Sequence, residues 1–199
     1  MEITAEKIMQ QLSAGTQVAG VIAVFGEEGY YKDKIAAALP RAVFGDAAPE
    51  DREITVFERD TDIKEISAAV NTYPFFSGRS LVIIKDEKLW GGKDGGEKRK
   101  QQQEELAELL ADVPEHCQVL LLGEKIDKRG KLYKSLLKTA AMVECKSLKS
   151  YQLKPWLDEQ AALRGCRFDY EASQTIMEYL SVTDNAVSYT HLTLPTIRL

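Results

Sequence analysis

The segment Val21-Ile22-Ala23-Val24-Phe25-Gly26-Glu27-Glu28-Gly29-Tyr30-Tyr31-Lys32-Asp33 sets the reading of the whole chain. Its first five residues are apolar without a break, the pattern of a strand buried on both faces in a parallel sheet covered by helices. A loop bounded by Gly26 and Gly29 follows. Tyr31, Ile35, Ala38 and Leu39 then recur at i, i+4, i+7 and i+8, which predicts a helix that Pro40 helps to terminate. Strand, glycine loop and helix in that order open an α/β fold.

This is also where a phosphate loop would stand, and comparison with G-x-x-x-x-G-K-[ST] is informative. Counted from Gly26, the lysine is in place as Lys32, but the second glycine is replaced by Tyr31 and the hydroxyl residue by Asp33. A tyrosine blocks close approach of backbone to phosphate, and an aspartate cannot supply the usual hydroxyl ligand to magnesium. Glu27 and Glu28 would repel a triphosphate. The loop resembles a phosphate site that cannot hold phosphate, and an ordinary strand-to-helix turn accounts for the same residues. Either way, nucleotide binding is not expected here.

Upstream, Ile8 and Leu12 mark a short amphipathic helix over residues 5 to 14, ended by Gly15. Downstream, Ile54 to Phe57 reads as a second strand, and Asp62-x-x-Glu65 as a capping box before a helix carrying Ile63, Ile66 and Val70. That helix delivers the chain to Asn71-Thr72-Tyr73-Pro74-Phe75-Phe76-Ser77-Gly78-Arg79-Ser80, which leads into a third strand, Leu81 to Ile84. Pro74 stops the helix and Gly78 frees the backbone, so two adjacent phenylalanines fall on a short loop. Neighbouring side chains of an extended segment point in opposite directions, so one core cannot easily take both rings, and at least one is expected at the surface. An aromatic plug for a partner's pocket stands here against one core ring and one chance surface ring.

Asp86 and Glu87, after the third strand, have the look of an acidic Walker B pair but lack a phosphate loop to bring in magnesium. Gly91-Gly92-Lys93-Asp94-Gly95-Gly96 reads as a flexible connection. A helix follows with Leu106, Leu109, Leu110 and Val113 on one face, then a fourth strand, Gln118 to Leu122. From Asp127 a further helix is expected, turning Leu132, Leu136 and Leu137 inward. Lys128, Lys131, Lys134 and Lys138 form its outer stripe, with Arg129 beside it. This is the one concentrated basic patch, read either as a solvated helix face or as a contact to DNA or a neighbouring subunit. Met142 to Cys145 is a fifth strand. Beyond Leu148 only helical patterns remain, around Trp156, Leu157 and Leu163, interrupted near the start by Pro155 and closed by Gly165, and around Ile176, Met177 and Leu180.

The chain has 199 residues, 44% of them hydrophobic and 29% charged, enough for one α/β domain and the start of a second. A net charge of −5 gives no global footprint for nucleic acid. The three cysteines, Cys117, Cys145 and Cys166, are widely spaced and include no CxxC pair, which argues against a zinc site or disulfide framework and for a reducing compartment. No apolar run approaches the roughly 18 residues of a membrane helix, and the start lacks a signal-peptide layout. The expected location is the cytoplasm. Val187-Ser188-Tyr189-Thr190-His191-Leu192 resembles the translation of a sequencing-library transposon end. We read residues 187–199 as a sequencing-adapter artefact and expect the natural protein to continue further.

Val24-Phe25-Gly26-Glu27-Glu28, Phe75-Phe76-Ser77-Gly78-Arg79-Ser80-Leu81-Val82 and Lys125-Ile126-Asp127-Lys128-Arg129-Gly130-Lys131-Leu132-Tyr133-Lys134, in that order, resemble the delta subunit of bacterial DNA polymerase III, a clamp-loader subunit. Leu153-Lys154-Pro155-Trp156-Leu157 looks like the start of that family's second domain. The resemblance covers residues 3 to 186 and rests on the ordered set of segments, since no one of them is diagnostic. It implies an AAA+ type, P-loop NTPase-like domain over residues 1–147, with a mostly parallel five-stranded sheet flanked by helices and no functional phosphate loop. Residues 148–186 would begin a small all-α domain, and the family's helical collar domain is missing.

Carried onto this chain, the resemblance makes Phe75 and Phe76 the clamp-binding pair and Gly26, Tyr31, Lys32 and Asp33 a degenerate loop that binds nothing. It implies a subunit that is no enzyme by itself and needs no cofactor or metal, within a DNA-directed DNA polymerase holoenzyme. Its partners would be the sliding clamp (beta subunit), the tau/gamma ATPase subunits, delta prime and, through the assembly, primed DNA, with no membrane. The readings it competes with are a P-loop ATPase with a divergent loop and a DNA-binding module on the basic helix 127–139.

Overall fold

The computed structural model describes residues 2–15, 19–58, 61–85, 96–146 and 149–182. They form two compact units. The first holds the residues up to Gly26 together with Tyr31–Cys145, and the second holds Glu27–Tyr30 with the residues from Lys146 onward.

The first unit is built on five parallel strands, β1 (Val21–Phe25), β2 (Glu53–Phe57), β3 (Ser80–Ile84), β4 (Cys117–Gly123) and β5 (Ala140–Glu144), in the order β2-β3-β4-β1-β5. All five residues of β1 are buried because the sheet is covered on both faces. Val21, Ala23 and Phe25 face one core with α3 (Ile63–Asn71), α4 (Glu97–Leu109) and α5 (Lys131–Thr139). Ile22 and Val24 face the other, with α1 (Ala5–Ser13) and α2 (Gly29–Phe44). The side-chain alternation of an extended chain thus feeds two cores from one apolar run. Each fully buried Ile or Leu contributes about 1.5–3 kcal/mol of transfer free energy.

The expected α/β class is what the structure has, with local differences in the helices. The α2 helix runs through Pro40 to Phe44. Proline removes one backbone donor, but the apolar period continues to Phe44, and the helix stops only at Gly45 (φ 60°), whose N–H reaches the Arg41 carbonyl at 2.8 Å. The α5 helix begins at Lys131, not Asp127. The Asp127 carboxylate accepts the Arg129 N–H at 3.0 Å and the Asp127 carbonyl accepts the Gly130 N–H at 2.9 Å, so residues 127–130 close a turn. Asp62 caps α3 by accepting the Lys64 N–H at 3.0 Å, a simple N-cap in place of the expected capping box with Glu65.

In the second unit, α6 (Ser150–Ala162) and α7 (Tyr170–Val182) pack Leu153, Trp156 and Leu157 against Tyr30, Phe168, Ile176 and Met177. Pro155 lies inside α6 and Gly165 (φ 69°) follows it. The Tyr30 ring meets Trp156 edge-on, and its hydroxyl donates to Gln160 at 2.8 Å. No helix among the described residues is long and apolar enough to cross a membrane. The readings at Asp86, Glu87, Gly91 to Gly95 and 187–199 lie outside the described residues.

Candidate functional site

Between α3 and β3 the chain holds both phenylalanines outward. Phe75 is 89% exposed and Phe76 70%, with ring centroids 5.6 Å apart at 64°. Both rings reach the surface and touch each other, whereas the extended-loop argument separated them and required only one to be exposed. The backbone explains it. Gly78 adopts φ 66°, and the Ser77 hydroxyl donates to the Arg79 carbonyl at 2.7 Å, so residues 75–79 form a tight turn instead of an extended segment.

The turn is held from beneath at several points. Pro74 is buried. The Phe75 N–H donates to both carboxylate oxygens of Glu53, the first residue of β2, at 2.8 Å each. A bond to a charged acceptor of this kind is about twice as strong as a neutral one. The Tyr73 ring packs at a tilt of 57° against the His116 ring, with centroids 5.1 Å apart. Sequence patterning gave no sign of Glu53, because its partner lies 22 residues away and is a backbone group.

The loop after β1 lies at the opposite end of the parallel strands. Gly26 (φ 133°) packs against the backbone of Cys145, so a Cβ there would come within 1.9 Å of the Cys145 carbonyl oxygen. The glycine therefore serves a close approach of two strands. Lys32 donates its ammonium to the Gly26 carbonyl at 2.8 Å. Glu28, buried just before α2, accepts the Tyr30 N–H at 3.1 Å, so the chain's own carboxylate occupies a helix-start donor of the kind that phosphate loops offer to anions. Tyr31 is partly buried against the core under α1 and α2, and Asp33 is exposed.

The basic stretch is split between a turn and a helix. Lys128 pairs with Glu144 at 2.8 Å, Lys131 with Glu104 at 2.7 Å and Arg129 with Asp127 at 3.7 Å. The Glu144 hydrogen bond holds the Lys128 ammonium above its usual pKa, and Lys128 also lies 5.8 Å from the Phe25 ring centre. Lys134 and Lys138 are exposed on α5, so the five cations form no continuous uncompensated stripe. No group of three or more His, Cys, Asp or Glu among the described residues is arranged to hold a metal ion.

The first unit is thus an α/β domain with a five-stranded, all-parallel sheet flanked by helices. The chain belongs to the DNA polymerase III delta subunit family, whose sequence model, described as "DNA polymerase III, delta subunit", matches residues 25–146. It is 30% identical over 135 residues to the DNA polymerase III subunit delta of Bacillus subtilis (strain 168), covering 66% of this chain and 39% of that one. Among solved structures, the Bacillus subtilis DNA clamp loader delta protein shares the fold with a TM-score of 0.70 at 22% identity, over 92% of this chain and 59% of that one. The chain spans less than two thirds of either relative.

Proposed function

We propose that this chain is the clamp-binding part of a non-catalytic clamp-loader subunit, which inserts Phe75 and Phe76 into an apolar pocket of the DNA sliding clamp and helps open the ring during replication. The observation that carries the reading is the pair of exposed rings on a loop tied down by Glu53, Pro74 and Gly78. A plug fixed before binding loses little entropy when it docks. Two such rings bury about 300–500 Å² and contribute at most about 7–12 kcal/mol of gross transfer free energy. That is comparable to the 4–15 kcal/mol cost of association, so the plug anchors a contact without completing it.

Opening follows from differential binding: a subunit that binds the open form of the clamp more tightly than the closed form shifts the ring toward opening. ATP hydrolysis belongs to neighbouring motor subunits (tau/gamma), with delta prime completing the assembly on primed DNA in the cytoplasm. Tyr31, Asp33 and the internal bonds of Lys32 and Glu28 support a subunit that takes no nucleotide of its own. Two titrations test the reading. With a purified bacterial sliding clamp, the chain should bind stoichiometrically, and with Mg-ATP it should give no heat beyond dilution. Failure to bind the clamp overturns the plug, and submillimolar ATP binding overturns the nucleotide-free reading.

A further inference from the structure

We propose that the clamp contact continues from the aromatic pair along the outer edge of β2, which pairs with no other strand among the described residues, and that an extended segment of the clamp adds itself there to the sheet as a sixth strand. This rests on the reading that the clamp receives Phe75 and Phe76. Among the described residues of the first unit, the exposed large hydrophobics are Ile54 (39%), Val56 (45%), Tyr73 (72%), Phe75 and Phe76. All five lie in β2 or in the loop before β3, and the Glu53–Phe75 hydrogen bonds join the two segments into one surface. A stable protein interface needs about 800 Å² per partner, and two phenylalanine rings supply only about 300–500 Å² of it. The remainder must come from the neighbouring surface, and the apolar side chains available there are those of β2.

The backbone of β2 is set up for pairing. The Phe57 carbonyl accepts the Lys85 N–H at 2.8 Å, so Phe57, and by alternation Thr55 and Glu53, turn their backbone groups toward β3. The N–H and C=O groups of Ile54 and Val56 consequently face away from the sheet. Their register partners on β3, Leu81 and Ile83, are buried in the core under α1 and α2, so the exposed side chains of Ile54 and Val56 extend that apolar surface past the last strand. The sheet's other edge is partly covered: Glu2 bridges Met142, and the Ile3 N–H donates to the Met142 carbonyl at 2.9 Å. Glu53-Ile54-Thr55-Val56-Phe57 contains no lysine or proline, the residues that usually guard a free edge, and its one charged residue is engaged with Phe75. Main-chain pairing along such an edge is a general mode of recognition, in which alternate side chains supply specificity.

The test combines amide hydrogen exchange with clamp titration on the full chain. Saturation with purified bacterial sliding clamp should slow exchange of the β2 amides at least fivefold. Ile54→Lys with Val56→Lys should weaken clamp binding tenfold or more at an unchanged urea midpoint. Val56→Pro, which removes an outward donor and no ladder bond, should weaken it in the same direction. If the loop is protected but β2 exchange is unchanged, or the lysine variant binds within twofold of the parent while Phe75→Ala with Phe76→Ala does not bind, the edge inference falls and the plug stands. If the double alanine variant binds like the parent, both fall. If sedimentation shows a dimer of the chain that the lysine variant breaks without changing clamp affinity, a second copy covers the edge and the proposal is overturned. Should the lysine variant lose its cooperative urea transition, exchange on the unaltered chain decides the matter.

Discussion

Replacing Gly26 with alanine isolates what this glycine does. At φ 133° an L side chain is strained, at about 1–3 kcal/mol. The added Cβ would lie 1.9 Å from the Cys145 carbonyl oxygen, 2.6 Å from its carbon and 2.9 Å from its nitrogen, all backbone atoms that cannot swing aside. Relief requires β1 and β5 to part where the Cys145 N–H meets the Phe25 carbonyl at 2.7 Å, at a further cost of about 0.5–1.5 kcal/mol for that bond. The expected loss is therefore about 1.5–4.5 kcal/mol, or a fall in Tm of roughly 3–18 °C for a protein of this size. Thermal and urea melting measure it. Gly45→Ala is the control, since that glycine has φ 60° with nothing within 4 Å of a Cβ, and should cost only about 1–2 kcal/mol. A Gly26→Ala protein that melts within about 2 °C of the parent would refute the close-packing account.

Two further outcomes follow from the side-chain environments. Cys166 is exposed while Cys117 and Cys145 are buried, and burial pushes the Cys117 thiol up, so at pH 8 a disulfide reagent should label Cys166 quickly and the other two only after unfolding; rapid labelling of a second thiol in the folded protein would contradict the packing. Glu53→Gln replaces the charged acceptor under Phe75 with a neutral one, weakening the loop's tether by about 1 kcal/mol, and clamp affinity should fall several-fold with little change in urea midpoint; unchanged affinity would mean that the plug does not depend on this tether.

Much of the fold was legible because the strands of a doubly covered sheet are continuous apolar runs, as in Val21–Phe25, and the helices between them carry clean 3.6-residue periods. The helix ends were less legible. Pro40 marks a stop only when the apolar period also ends, and it does not until Phe44. The basic stretch looked helical from Asp127 because its lysines are spaced three and four apart, but an aspartate two residues before a backbone donor and a glycine at 130 favour a turn. Phe75 and Phe76 drew notice from residue type and loop chemistry. Their shared exposure and the tether from Glu53 depend on a contact between segments 22 residues apart, which one-dimensional spacing cannot encode.

The central claim is that Phe75 and Phe76 contact a partner and do not serve the core. Clamp affinity and urea midpoint measured on one protein carrying Phe75→Ala and Phe76→Ala test it most directly. With both rings exposed, the variant should keep its urea midpoint, whereas a buried phenylalanine lost from a core would cost about 3–5 kcal/mol of folding free energy. Clamp binding should fall by more than about 2 kcal/mol, over thirtyfold. A folded variant that binds the clamp as tightly as the parent would contradict the account.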